Sequence, residues 1–507
     1  MSTRPIKRMN GRIFTVKRFG LVLGPVLAAL MLVNGAPESL ISSAPETLVN
    51  STSEDWAFSA WATGALMVWM AIWWATEPIP IPVTSLLPLI VLPLVDAASP
   101  NQVGMGYAHH IVLLLLGGFV VALGLERWNL HRRIALNIVS QVGTSPRALI
   151  LGFMAATALL SMWISNTATT LMMVPIALSA ATTLADKDAR FTIALLLGIC
   201  YAASIGGVAT PIGTPTNLIA MDALAQGFEY EIGFAQWMAY GIPAALLLVP
   251  AAWWVVTFRL PKRSDGAAAL AHIRAERQAL GKITGPECRV ALVFAVIALL
   301  WVSRLWTVEL AETLGWPVLS NYSGAQVDMM IAICGAVAMF LVPAGSGQGR
   351  ALLTWPEAVK LPWGVLLLFG GGIALGNSVR DTGLSEWIGS QLQVLSVLPP
   401  LFFIVAVVAL VIFLTELTSN VATMTTLAPV LGSLAVAIGA APETLLAPAA
   451  VAASCAFMLP VATAPNAIIY ATDKVTIGEM MQHGLRVNLV GIVVISAIGY
   501  WLAPLVL

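Results

Sequence analysis

The chain has 507 residues, is 59% hydrophobic and only 10% charged, and its 25 basic and 25 acidic residues cancel. A soluble domain carries about 25% charged residues, so this composition excludes a water-soluble core of such length. Zero net charge leaves no nucleic-acid footprint, and four scattered cysteines (Cys200, Cys288, Cys334, Cys455) suggest neither a disulfide framework nor a zinc site.

At the N-terminus, Arg4, Lys7, Arg8, Arg12, Lys17 and Arg18 precede an apolar run at 21–33. The A-x-A pattern of a cleaved signal peptide is missing and more apolar runs follow. The first helix is therefore read as retained, with residues 1–18 a cytoplasmic basic flank. Further apolar runs occupy 56–75, 147–164, 191–205, 242–258, 290–303, 329–342, 401–414 and 484–507. Several reach the roughly 20 residues that cross a bilayer, and none alternates as barrel strands do. The expected fold class is all-α and polytopic, with about ten or more membrane segments.

Residues 259–289 interrupt this pattern. Arg259, Lys262, Arg263, Arg274, Arg277, Lys282 and Arg289 outnumber Asp265, Glu276 and Glu287, which marks a cytoplasmic linker between a first half, 19–258, and a second half, 290–507. Residues 309–328 carry Glu309, Glu312 and Asp328 without Lys or Arg, so they read as external, and the last span then ends outside. His109 and His110 are adjacent and do not face one another on a helix, which argues against a metal pair. The stretch Glu126-Arg127-Trp128 to His131-Arg132-Arg133 reads as an interfacial helix, and Trp73-Trp74 and Trp253-Trp254 as interface anchors.

The two halves repeat one another. LLLLGGFVVALG at 113–124 matches VLLLFGGGIALG at 365–376, and SNTATTLMMVP at 165–175 matches SNVATMTTLAP at 419–429. GTPTN at 213–217 then matches ATAPN at 462–466, aligning Thr214 with Thr463 and Asn217 with Asn466. Three blocks recurring in one order, with matching polar residues, are the mark of secondary transporters, whose sites lie where the repeats meet.

Polar residues in a membrane span are costly unless satisfied. A lone Ser or Thr is commonly an interhelical hydrogen-bonding group; a duplicated Ser-Asn pair is better read as functional. Pro and Gly near 206–217 and 460–466 break the helices there. Unwound backbone frees carbonyls for a cation, and half-helix N-termini offer N–H groups to an anion. Carbonyl, hydroxyl and amide oxygens suit a small hard cation such as Na⁺. The motifs contain no Lys, Arg or His, so a small anionic substrate would be held by neutral donors and bound cations together. Glu416, opposite Met162 in the first half, reads either as a proton carrier or, in preference, as a group that orients the loop. No paired carboxylates, His cluster or activated nucleophile marks an enzyme.

At LGGFVVALGLERWNLHRRIAL (116–136), SNTATT (165–170), TELTSNVAT (415–423) and PVATAPNAI (460–468) the chain resembles the divalent anion–sodium symporter family. The resemblance covers nearly everything beyond the first ~50 residues and implies two inverted repeats with re-entrant hairpins and broken helices. It also implies an elevator-type scaffold plus transport domain, a homodimer surrounded by lipid, and a place in a bacterial-type inner membrane. One Na⁺ site would use Ser161, Ser165, Asn166 and the backbone at Gly213; its counterpart would use Thr415, Thr418, Asn420 and the backbone at Ala462. Substrate carboxylates would meet Asn166, Thr167, Thr214, Asn420, Thr463 and Pro465, with Val421 at the second tip. Many dicarboxylate carriers of the family have Thr in the third place of both tips, where this chain has Thr167 and Val421. The implied function is Na⁺-coupled uptake of C4-dicarboxylates. Cation-independent exchange, and citrate or sulfate symport, are the alternatives.

Overall fold

The computed structural model describes residues 4–43, 52–182, 189–228, 230–260, 266–315, 317–345, 350–392 and 399–507, with 4–16 as backbone only. Lys262, Arg263 and Asp265 of the basic linker, and the side chains of Arg4, Lys7, Arg8 and Arg12, lie outside the described residues.

In hydrocarbon, a chain must satisfy every backbone N–H and C=O internally, and helices do so within one segment. The principal helices begin with α1 (Arg4–Asn34), α2 (Ser53–Thr76), α3 (Pro100–Tyr107), α4 (His110–Arg127) and α5 (Leu130–Val139). Next come α6 (Pro146–Ser161), α7 (Asn166–Thr182), α8 (Ala189–Gly207), α9 (Pro215–Phe228) and α10 (Phe234–Thr257). The linker holds α11 (Ala267–Ala279), followed by α12 (Gly285–Val302) and α13 (Gly324–Leu341). The second half continues through α14 (Trp363–Asp381), α15 (Leu384–Leu392), α16 (Pro400–Thr415) and α17 (Asn420–Ala437). It closes with α18 (Glu443–Ala453), α19 (Ala464–Tyr470) and α20 (Ile477–Trp501). Among the described residues there is no β-strand, and nine helical segments are long and apolar enough to cross a membrane.

Two of the apolar runs are not spans. Helices α6 and α16 have 16 residues each, about 24 Å at 1.5 Å per residue, against a hydrocarbon core of about 30 Å. Each turns back through four residues into α7 or α17, which forms a hairpin. Ser145 starts the first hairpin by accepting the Ala148 N–H at 3.2 Å, with Pro146 in the first turn.

The repeat seen in the sequence is a repeat of elements: α4 to α10 match α14 to α20. The two copies are inverted. Arg127 ends α4 and pairs at 2.6 Å with Glu357, just before α14 begins. One helix therefore runs toward the face from which the other departs. Burial works against the Glu357 charge, but hydrogen bonds from Thr354 and the charge of Arg127 outweigh it and hold its carboxyl below its ordinary value. The linker packs on that same face. Arg133 of α5 pairs with Glu287 at 3.0 Å and donates to Gly281 O at 2.9 Å, and Gly266 N donates to Thr144 O at 2.9 Å.

The halves interleave. Helix α9 packs on α17 and α18, and α19 packs on α7 and α8, so the second part of each broken helix lies against the other repeat. A large core runs through α4 to α20; a smaller one joins Leu66 and Trp74 of α2 to Leu368 and Leu375 of α14 and to Ala422 beside the second tip. That smaller core corrects one expectation. Trp74 is no interface anchor, being 1% exposed with its indole N–H donated to Ser85 Oγ at 3.1 Å. Trp254 is 61% exposed, as an anchor would be.

Candidate functional site

Each tip is held by a hydroxyl four residues before its Ser-Asn pair. Ser161 Oγ lies 2.6 Å from Asn166 Oδ1 and 2.7 Å from Ala203 O of α8. Thr415 Oγ1 lies 2.8 Å from Asn420 Oδ1 and 2.9 Å from Ala453 O of α18. Ser161 and Thr415 are both fully buried. A hydroxyl has one proton and can donate fully to only one of two acceptors. Each cluster is thus a group of three neutral oxygens (hydroxyl, amide and main-chain carbonyl) with more lone pairs than protons.

Ser165 and Ser419 cap the helices that leave the tips, accepting from Ala168 N at 3.2 Å and Ala422 N at 3.1 Å. This capping fixes Asn166 and Asn420 at the first helical positions, where free N–H groups and the helix dipole favour negative charge. Thr167 and Val421 follow, both half-buried. Thr418 is not brought to Asn420: its hydroxyl donates to Leu414 O at 3.1 Å and lies 2.5 Å from Thr423 Oγ1.

The breaks are stapled by the matched asparagines. Asn217 donates to Gly207 O at 3.1 Å and Thr210 O at 2.7 Å, residues ten and seven positions upstream. Asn466 donates to Ala456 O at 2.9 Å and Leu459 O at 2.8 Å, at the same spacings. Thr463 caps α19 by accepting Asn466 N at 3.3 Å, and Pro465 stands buried in its first turn. Thr214 is buried beside Thr216, 3.5 Å away, and Ala462 N donates to Leu459 O at 3.2 Å.

Gly213 sits against the first tip. A Cβ there would meet Gly207 O at 2.5 Å and Met162 O at 3.0 Å; one on Gly207 would meet Asn166 Oδ1 at 2.7 Å. Backbone cannot give way as a side-chain end can. Gly213→Ala is therefore expected to cost about 1–3 kcal/mol by overpacking and to lower the melting temperature of the purified protein. Gly104→Ala, with open space around it, is the control that leaves melting unchanged.

Glu416 has the hydrogen bonds that an orienting role requires. Its carboxylate accepts Phe457 N at 2.7 Å, Met458 N at 2.9 Å, Leu459 N at 3.1 Å and Asn488 Nδ2 at 2.8 Å. Met162 needs no such role because α8 stays helical to Gly207, whereas its counterpart α18 stops at Ala453 and leaves 457–459 without helical acceptors.

Sequence reasoning missed Ala203, Ala453, Asn488 and Cys200, whose thiol donates to Asn466 Oδ1 at 2.7 Å. A further repeat, Ala-Ala-Ser at 202–204 and again at 452–454, contains both accepting carbonyls, although the repeat alone does not show that they face a hydroxyl.

The family described as the sodium:sulfate symporter transmembrane region matches residues 52–507. The sodium-dependent dicarboxylate transporter SdcS of Staphylococcus saprophyticus is 39% identical over 502 residues, covering 96% of this chain and 92% of that one. The SdcS of a Staphylococcus aureus strain is 40% identical over 502 residues, with 96% and 91% covered. Among solved structures, the fold is similar to that of Neisseria gonorrhoeae MtrF, at a TM-score of 0.57 and 15% identity over 96% of this chain and 94% of that one. It is also similar to the Alcanivorax borkumensis YdaH transporter, at 0.54 and 14% over 97% and 98%. With the family matched over nearly the whole length, and with curated relatives that are transporters over the same span, the chain belongs to the sodium:sulfate symporter family of membrane transporters.

Proposed function

We propose that this protein couples inward movement of Na⁺ to uptake of C4-dicarboxylates. The observation that carries this reading is the duplicated oxygen cluster: Ser161–Asn166–Ala203 in one repeat and Thr415–Asn420–Ala453 in the other. Neutral hydroxyl, amide and carbonyl oxygens are hard donors suited to hard cations, and two equivalent clusters fit two similar Na⁺ sites. Ser165 and the backbone at Gly213 would complete the first set and the backbone at Ala462 the second, while Thr418, turned to Leu414 and Thr423, would have to rotate to join it. The substrate dianion would lie between the tips, where α7 and α17 present their first N–H groups, with Thr167, Thr214, Thr463, Pro465 and Val421 around it. Bound Na⁺ supplies positive charge that no side chain there provides, which makes anion binding depend on the cation. Dicarboxylate as the cargo class is supported by the names of the curated relatives.

The same reading extends to an elevator mechanism. The hairpins and broken helices would form the moving body; α4 and α14, with glycine faces against Ile212 and Thr425, would be arms of a scaffold that dimerises within the lipid of a bacterial-type inner membrane. The basic linker would face the cytoplasm, with the N-terminus on that side and the C-terminus outside.

Reconstituted protein is expected to accumulate succinate under an inward Na⁺ gradient. Equal uptake in Na⁺ and choline would sink Na⁺ coupling, and uptake that instead required preloaded succinate would identify exchange. Val421 sits where a hydroxyl donor would serve a second carboxylate. Val421→Thr is expected to shift preference toward dicarboxylates by about tenfold, or about 1.4 kcal/mol, over citrate and sulfate in competition assays; an unchanged profile removes Val421 from the site.

A further inference from the structure

Helix α9 carries Asn217 near its start and, five residues on, Asp222, which is 8% exposed. Among the described residues, Asp222 Oδ1 has no hydrogen-bond partner, and neither has the buried Nδ1 of His109, the residue that opens α4. These two atoms lie 3.5 Å apart. On its other side, His109 Nε2 lies 2.9 Å from the Gln226 amide nitrogen. Arg380, near the end of α14, donates to the Gln226 carbonyl and lies 3.5 Å from Gln226 Oε1. With its amide oxygen turned to Arg380, Gln226 has its amide nitrogen free to donate to His109 Nε2, an arrangement that assigns the imidazole proton to Nδ1, the atom nearest Asp222. A donor and an acceptor therefore face each other in a buried place with their bond not made. Leaving such atoms without a hydrogen bond is costly, although the Arg380 charge also acts on Asp222 and the His110 ring lies 4.0 Å from that of His109.

Asp222, Gln226 and Arg380 also line a cavity of about 510 Å³ between α9, α14, α15 and α17. Unmade buried polar contact and free volume thus meet at Asp222. The cavity lies between the second part of a broken helix and α14, α15 and α17, while His109 reaches Asp222 from the start of α4. We propose that Arg380, Gln226, His109 and Asp222 form a clasp between α9 and the helices α4 and α14, and that the His109–Asp222 bond is closed in one conformation of the transport cycle and open in another. The inference rests on the elevator reading, in which α9 moves against α4 and α14. These are positioning residues: they act on Thr214 and Asn217 through α9 without touching the cargo.

The test uses the full chain with its exposed cysteines removed as Cys288→Ala and Cys334→Ala, and with His109→Cys and Asp222→Cys added. Cross-linking by a short bis-methanethiosulfonate is read on gels, first in choline and then in Na⁺ with succinate. The expected yields differ by about fivefold or more, because ligands shift the populations of the two conformations. Cross-linked protein in proteoliposomes is expected to lose most Na⁺-driven uptake and to regain it on reduction. Equal yields in both media, or uptake undiminished by the cross-link, would overturn the clasp. If the double variant fails to fold, Gln226→Cys with Arg380→Cys is judged by the same two readings. Absence of Na⁺-driven uptake in the parent, which retains His109 and Asp222, would count against the transport reading alone, since the gel still reports on the clasp.

Discussion

Alanine at Asn166 or Asn420 is expected to cut Na⁺-driven uptake by about a hundredfold or more, equivalent to about 2.8 kcal/mol, in protein that still folds. Each asparagine would serve two purposes at one place. Its Oδ1 stands in the oxygen cluster, 2.6 Å from Ser161 Oγ or 2.8 Å from Thr415 Oγ1. Its position at the head of α7 or α17 places it where the anion would bind. On the proposed reading, truncation would remove a cation ligand and an anion donor together, so coupled binding would lose both. The fold loses less. Ser161 keeps Ala203 O as an acceptor and Thr415 keeps Ala453 O, so the stability cost is that of one ordinary hydrogen bond, about 1 kcal/mol. Gradient-driven uptake read beside thermal melting separates the two effects. Variants that melt normally and transport normally would refute the assignment.

Glu416→Ala is expected to have the larger effect on stability. It would strip the acceptor from the N–H groups of Phe457, Met458 and Leu459 and from the Asn488 amide. A buried donor left unsatisfied costs about 1–3 kcal/mol, and four groups depend on this one carboxylate. The second break should lose its shape, with melting lowered by many degrees and uptake lost. Glu416→Gln keeps one acceptor oxygen and should fall between. A proton carrier would behave differently. Its glutamine variant would melt like the wild type and lose only a component of uptake that depends on a proton gradient, and that outcome would displace the orienting role.

Much of the candidate site was legible because side chains at fixed spacing declare themselves twice. Ser161 and Thr415 each stand four residues before a Ser-Asn pair, and both meet the amide of that pair. Asn217 and Asn466, aligned by the repeat, reach back over identical distances along the chain. Ala203 and Ala453 were not legible as ligands, because every residue has a carbonyl and only the packing shows which one faces a hydroxyl. Thr418 looked equivalent to the other hydroxyls, but its position on the turn directs it to Leu414 and Thr423.

By itself, the sequence determined the medium, the helical class, the duplication and the polar residues at the tips. Apolar content and residue spacing are local properties, and hydrocarbon permits few backbone solutions. Tertiary structure decided how the repeats interleave, which hydroxyl meets which carbonyl, and why Glu416 has no counterpart. It also brought Asp222, His109, Gln226 and Arg380 together from three helices. Hydrogen bonds of this kind depend on where each helix unwinds and on what packs against it. Two repeats that read alike can therefore unwind at different points: α8 continues to Gly207, while α18 ends at Ala453 and requires a carboxylate from the neighbouring hairpin.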